Sequence, residues 1–269
     1  MLRISSILFI FVLFFSSCEK QIDLHPENSE EKIVIGAIFS DLSPITSMSV
    51  SKSKGIYDDI LNHPKINDAS VKIIDLNTND TINFTSNNDG TYSTTGAGQI
   101  GHHYRLEIDA EGQHITGEQT MLPRVSLNQV KSFPVEPNSD KYYLRMKFDD
   151  DPTTTDYYLF LCYPLTNQDD DIRIIVRSDL LYNQDLGGYD IKDEIFNKNE
   201  QWLVVLFHID RDNYNYLSIM NRAKNSLVNG AHPFYGISLG NPVNTVQGKS
   251  VLGYFVASPV GVSPILIGN

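Results

Sequence analysis

Short apolar runs that alternate with polar residues, each cut off by Gly, Asn, Asp or Pro, recur through this chain and leave room for little besides β-structure. Seven of them lie between Lys32 and Met121: residues 33–39, 47–51, 69–76, 81–85, 91–95, 104–108 and 114–121. Tyr104, Leu106 and Ile108 alternate with Arg105, Glu107 and Asp109, the two-residue period of a strand with one wet face. Asn88-Asp89-Gly90 and Glu111-Gly112 supply tight turns, because Gly and Asn accept positive φ at little cost. Seven short strands at this spacing predict an immunoglobulin-like or fibronectin-like sandwich over residues 32–123. Residues 53–67 interrupt it as a longer loop.

Pro123, Pro134, Pro137 and the polar Asn138-Ser139-Asp140 predict a junction over residues 124–140. A second, mostly antiparallel β region is expected over 141–269. There Tyr142, Leu144, Met146 and Phe148 alternate with Tyr143, Arg145, Lys147 and Asp149, and Ile172, Ile174 and Val176 alternate with Arg173 and Arg177. Residues 157–163 and 203–209 are apolar on both faces, which predicts central strands or strands covered by another layer. One long helix is expected over 210–227, with Tyr216, Met220, Ala223 and Leu227 on its apolar stripe, Asp210 as N-cap and Asn229-Gly230 as stop. The fold class is therefore mainly β, a sandwich followed by an antiparallel β domain with one long α-helix.

The first two dozen residues read differently. Arg3 gives a short positive region, residues 4–15 an apolar one, and Phe15-Ser16-Ser17-Cys18 closes it like a lipobox, so residues 1–17 are expected to be a lipoprotein signal peptide. The apolar run is shorter than the about 20 residues a spanning helix needs. Cys18 is the expected lipidation site, and the polar residues 18–31 a tether.

Removal of residues 1–17 leaves 252 of the 269 residues and an acidic excess of thirteen, one more than in the full chain. Such a surface repels a phosphate backbone, which excludes nucleic acid as partner. With Cys18 lipidated, Cys162 has no intrachain partner, and its apolar run marks it as a small buried hydrophobe.

Chemistry-bearing motifs are sparse. The runs 149–151 and 169–171 are the densest carboxylate clusters and read first as solvated loop tips, with Asp149, Asp151, Asp169 and Asp171 as candidates for calcium, which wants several such oxygens. His102 and His103 are adjacent and point to opposite faces of a strand, and no His-Glu-x-x-His occurs, so zinc is not expected. There is no Gly-x-Ser-x-Gly elbow, and the segment 96–101 precedes a strand, which fails the context for a phosphate loop. Neither a catalytic residue nor a cofactor is expected. The Asn-, Gly- and Pro-rich segment 229–249 is long for a connector, which suggests a functional loop. Tyr235, Asn241, Asn244 and Gln247 in it are candidate contacts for a ligand or partner.

Several segments together resemble the Bacteroidota lipoproteins grouped as domain of unknown function 4249. They are Cys18-Glu19-Lys20-Gln21-Ile22-Asp23, Asn67-Asp68-Ala69-Ser70-Val71-Lys72-Ile73, Gly90-Thr91-Tyr92, residues 101–108, Asp193-Glu194-Ile195-Phe196-Asn197, Asn213-Tyr214-Asn215-Tyr216-Leu217, Asn241-Pro242-Val243-Asn244 and Gly253-Tyr254-Phe255. The resemblance covers the whole chain after the signal and implies an outer-membrane lipoprotein working beside a TonB-dependent receptor. The acidic residues behind Cys18 resemble the signal for display on the cell surface, with the periplasmic face as the alternative. The expected function is thus a binding or accessory lipoprotein in nutrient uptake. A structural envelope lipoprotein is the second reading and a surface hydrolase the third.

Overall fold

Strand β1 (Ile33–Ser40) is apolar on both faces, and both faces are covered. In the computed structural model, which describes residues 31–53, 64–166, 172–179, 188–228, 240–245 and 249–269, β1 lies inside a five-stranded sheet. One neighbour is β2 (Ser47–Lys52), antiparallel; the other is β16 (Val251–Ser258), parallel, with Ala37 opposite Phe255. The sheet is completed by β6 (Thr91–Ser93) and β5 (Thr85–Ser86). A second five-stranded sheet faces it, built from β3 (Ser70–Asp75), β4 (Thr81–Asn83), β7 (His103–Ala110), β8 (Gln113–Thr120) and β15 (Val243–Asn244), in the order β15-β8-β7-β3-β4. The predicted alternation is realised: Tyr104, Leu106 and Ile108 join Ile33, Ile35, Phe39, Val50, Ile73 and Phe255 in the core between the sheets. Glu111 (φ 49°) and Gly112 (φ 71°) make the two-residue turn from β7 to β8, the left-handed pair that matches strand twist.

A second sandwich follows. Its three-stranded sheet has β10 (Lys141–Phe148) between β13 (Tyr189–Asn197) and β9 (Leu127–Pro134). Its four-stranded sheet runs β12-β11-β14-β17, with β12 (Arg173–Ser178) and β17 (Val260–Leu266) at the edges and β11 (Tyr157–Pro164) and β14 (Gln201–Ile209) inside. Pro264 is tolerated in β17 because an edge strand can spare a donor. The doubly apolar β11 and β14 behave as predicted. Tyr158, Phe160, Cys162, Val204 and Leu206 fill the core between the two sheets. Leu159, Leu161, Val205, Phe207 and Ile209 face the other way, onto a third core shared with Ile38 of β1, Val256 of β16, and Tyr216 and Leu217 of helix α1 (Arg211–Val228).

That third core is what the sequence reading lacks. β15 and β16, near the chain's end, complete the two sheets of the first sandwich, and β17 returns to the second, so residues 31–269 cluster as one unit. The partition at residues 124–140 is also redrawn, since that segment contains β9, paired with β10 along its length. Its prolines mark the end of that strand and the turn after it; the true passage between sandwiches is residues 121–126. Gly253 shows how closely β16 is fitted: at φ 133° it sits where a Cβ would come within 1.9 Å of the Ile35 carbonyl oxygen.

Two further expectations change. In β12 Ile175 enters the core of the second sandwich and Val176 the third core, whereas Ile172 and Ile174 are exposed. Arg173 and Arg177 lie on the inner side and reach across the edge of the sandwich, Arg173 over the Trp202 ring and Arg177 to Asp193 of β13. Long basic side chains can cover apolar surface while keeping the charge wet. In α1, Asp210 caps as predicted, its Oδ1 accepting from the Asn213 amide at 2.7 Å. The buried stripe, however, is Asn213, Tyr216 and Leu217, and Met220 is 52% exposed. Ala223 and Leu227 lie outside the described side chains.

Candidate functional site

Where β11 and β12 run out of ladder, two aspartates take over the pairing. Tyr157 is opposite Ser178 in the register. One step beyond, the Asp179 amide donates to the Asp156 carbonyl at 3.1 Å, and the Asp156 amide donates to Asp179 Oδ1 at 2.9 Å. The carboxylate of Asp179 therefore substitutes for a strand carbonyl, and its other oxygen, Oδ2, is buried without a hydrogen-bond partner. Asp179 as a whole is 2% exposed.

Neighbouring strands bring the rest. Tyr158 of β11 is opposite His208 of β14. The Tyr158 hydroxyl donates to Asp150 of the β10–β11 connection, and His208 Nε2 lies 3.0 Å from Asp156 Oδ1. The other ring nitrogen, Nδ1, is 3.1 Å from the Pro123 carbonyl oxygen, in the passage between the sandwiches. Both nitrogens thus face oxygen atoms. Thr154 Oγ1 donates to Asp156 Oδ2 at 2.6 Å. Asp150, Thr154, Asp156, Tyr158 and His208 line a cavity of about 500 Å³ together with residues 122–125, and Asp179 lies behind that lining.

One carboxylate oxygen each of Asp150, Asp156 and Asp179 lies within 4.8 Å of the others. Two unit charges at such a distance repel by roughly 3 kcal/mol at an effective dielectric constant of ~20. Burial pushes the Asp150 carboxyl above the ordinary carboxylate range, against the opposing hydrogen bond from Tyr158, and the charges of Asp156 and Asp151 add to the rise. Asp179 is raised for the same first reason, with Asp150 and Asp156 contributing. Burial and the bond to Asp150 in turn raise the Tyr158 hydroxyl. Chemically the site suits a cation or a hydrogen-bond donor far better than an anion.

The passage beside the cavity is clamped. Arg124 donates to Asp41, which follows β1, and to the Val260 carbonyl at the start of β17, while the Val260 amide donates to Asp41 Oδ1 at 3.0 Å. Asp210 receives Gln119 of β8. The wall of the cavity is thus fixed to both sandwiches.

The predicted candidates fare unevenly. Of the run 149–151, the structure brings Asp150 to the cluster, whereas Asp149 accepts from Asn128 at 2.6 Å and Asp151 binds the amide and hydroxyl of Thr153 in a turn. Asp149 and Asp151 thus line the cavity without joining the cluster of three carboxylates, and those two hydrogen bonds from Thr153 hold the Asp151 carboxyl low. Asp169 and Asp171 lie outside the described residues, as do Cys18, Tyr235 and Gln247. Asn241 and Asn244 are framework residues: Asn241 Nδ2 donates to the Phe255 carbonyl and its Oδ1 accepts from the Phe255 amide, both at 2.7 Å, and Asn244 Nδ2 donates to Gln113 at 2.6 Å. Burial pushes the Cys162 thiol up to about 12, which removes it as a nucleophile. His102 holds the buried Asp75 at 2.7 Å and His103 faces Thr120 and Glu118. Asp156, Asp179 and His208 escaped the sequence reading. Each flanks or ends an apolar strand, but which strand ends meet is decided by register.

Two solved structures are similar to the chain at low level. The two fibronectin type-III domain segment from chicken tenascin is 9% identical, covering 65% of this chain and 88% of its own, with a TM-score of 0.22. A Bacteroides uniformis protein described as a "putative carbohydrate binding protein" is 9% identical, covering 66% and 88%, with a TM-score of 0.17. No curated protein matches the chain. The sequence profile of one family does match, over residues 19–263, nearly the whole of what the structure describes; the chain belongs to the family described as domain of unknown function (DUF4249).

Proposed function

We propose that this protein is an outer-membrane lipoprotein whose body serves as a binding or accessory component beside a TonB-dependent receptor in nutrient uptake. The observation that carries the reading is the apolar segment ending in Ser16-Ser17-Cys18, the pattern of a lipid acceptor. Cys18 stands fifteen residues before Ile33, the start of β1, a tether that could reach about 50 Å if extended. Confinement to a membrane plane raises the effective concentration of any partner there, so a modest affinity suffices. Among the described residues no helix is long and apolar enough to cross a membrane.

The pairing of Asp156 with His208 in a cavity is the observation that speaks for the hydrolase, the third reading. The geometry supports binding better. Both His208 nitrogens are engaged by fixed acceptors, Pro123 O and Asp156, leaving neither to take a proton from an attacking group. The threonine hydroxyl nearby is turned to a carboxylate.

Cells fed a clickable fatty acid should label the wild type and leave Cys18→Ser unlabelled, and protease added to intact cells should digest the body. Digestion after lysis alone would assign the periplasmic face. A TonB-dependent receptor should co-purify from outer membranes in mild detergent. If the lipidated protein brings down no receptor, a structural envelope role replaces the uptake reading.

A further inference from the structure

We propose that Asp150, Asp156 and Asp179 form a binding site for one hard divalent cation, calcium, independently of any receptor partnership. Two separate observations meet here. The first is spacing: oxygens around a calcium ion lie about 2.4 Å from it, so ligands on opposite sides are ~4.8 Å apart, and the three carboxylate oxygens lie within 4.8 Å of one another. The second is the state of Asp179. Its Oδ2 is buried with no hydrogen-bond partner in a residue 2% exposed, and a buried carboxylate oxygen ordinarily has one.

A single proton shared by one pair of these carboxylates leaves two of the three negative charges in place, whereas a divalent cation leaves one. Such a cation at their centre faces all three. The donors here are oxygens. His208 Nε2 already faces Asp156 Oδ1 at 3.0 Å and Nδ1 faces a carbonyl, so the imidazole orients a ligand from behind, as histidines and carboxylates do around metals. Zinc, which prefers nitrogen and sulfur, is poorly served by such a set. Three carboxylates fill part of the six to eight positions calcium takes, and the adjoining cavity can supply the rest as water or as oxygens of a bound ligand. Magnesium holds its own water in a strict octahedron and gains less from such a site. The cation would also tie the β10–β11 connection, which carries Asp150 and Asp156, to the end of β12, which carries Asp179.

The test uses the purified full chain in mild detergent, stripped with EDTA and titrated with CaCl₂, MgCl₂ or ZnCl₂ by calorimetry and thermal melting. Calcium should give a saturable heat with about one site and raise the melting temperature, magnesium at least tenfold more weakly. Asp179→Asn and Asp156→Asn should weaken calcium binding more than tenfold, and Asp109→Asn, on β7 of the first sandwich, should leave it unchanged. Should Asp179→Asn fail to fold, Asp150→Asn carries the same expectation. Terbium luminescence excited through the protein's aromatic side chains gives a second readout, since Tyr158 touches Asp150. No saturable calcium heat at millimolar concentration, tighter binding of zinc through the same residues, or undiminished binding by the aspartate variants would each overturn the proposal.

Discussion

Cutting the chain at residue 124 removes strand β16 from the first sandwich, and we expect the fragment 31–124 to be unfolded. Val251 (3% exposed) and Phe255 (0%) of β16 lie in the core between the two five-stranded sheets, and Val256 (1%) in the third core behind β1. Full burial of a Val or Phe side chain contributes about 1.5–3 kcal/mol, so these three supply roughly 5–9 kcal/mol by the same scale. A domain has about 5–15 kcal/mol of stability in all. The fragment also loses the β15 pairing on β8, the cover over Ile38 and an eight-residue parallel ladder along β1. Amide proton–nitrogen spectra of the fragment should be collapsed, and a synthetic peptide of residues 249–259 should restore dispersion. In the full chain Phe255→Ala should cost about 3–5 kcal/mol, read from the shift of the urea midpoint. A dispersed spectrum and a cooperative melt from the fragment alone would refute the reasoning and show that the first sandwich folds without its borrowed strand.

Three other outcomes follow from the same structure. Asp150 and Asp179 have folded-state pKa values raised chiefly by burial, so the folded chain holds those protons more tightly than the unfolded one and stability falls as pH rises through that window. Urea midpoints of the EDTA-treated protein should therefore rise as pH is lowered into the range just above ordinary carboxylates, and calcium or Asp150→Asn should flatten that rise. At lower pH the trend should reverse, because Asp190 is held low by its bond with Arg145 and loses its contribution as pH falls through its folded value; a midpoint that only climbs with pH would contradict the assignment. Asn241→Ala strips two hydrogen bonds from the Phe255 backbone; the carbonyl keeps Asn213 Nδ2 at 2.9 Å, so the cost should be about 1–3 kcal/mol for the amide, whereas Asn241 as a mere loop contact would melt like wild type. Cys162 should react with a thiol reagent on unfolding and stay unlabelled in the native chain; rapid native labelling would place it at the surface.

Much of the local structure could be read from the residues. The period of two in β7 and β10 assigns their inward faces, the Glu111-Gly112 turn sets the β7–β8 hairpin, and Asp210 fixes the start of α1, because these signals act over a few neighbouring residues. The doubly apolar runs that became β11 and β14 announced that something covers both sides of them, but not what it is. The misreadings are of one kind. For Ile174, Met220 and the segment 124–140 the outcome depends on what lies opposite: an edge position for β12, the extent of the third core along α1, a partner strand for β9.

What the sequence by itself determined, then, is the β-rich class, the helix N-capped by Asp210, the acidic balance of the chain and the candidate lipid acceptor at Cys18. Tertiary structure alone decided that β16 joins β1 across some two hundred residues of chain, and that Asp150, Asp156 and Asp179 converge beside His208. Pairing between distant strands is chosen by the burial of whole faces and by register, and a shift of one residue would turn every side chain to the opposite face. A carboxylate cluster assembled at the ends of such strands has no local signature, because its members share a neighbourhood only after the strands have met.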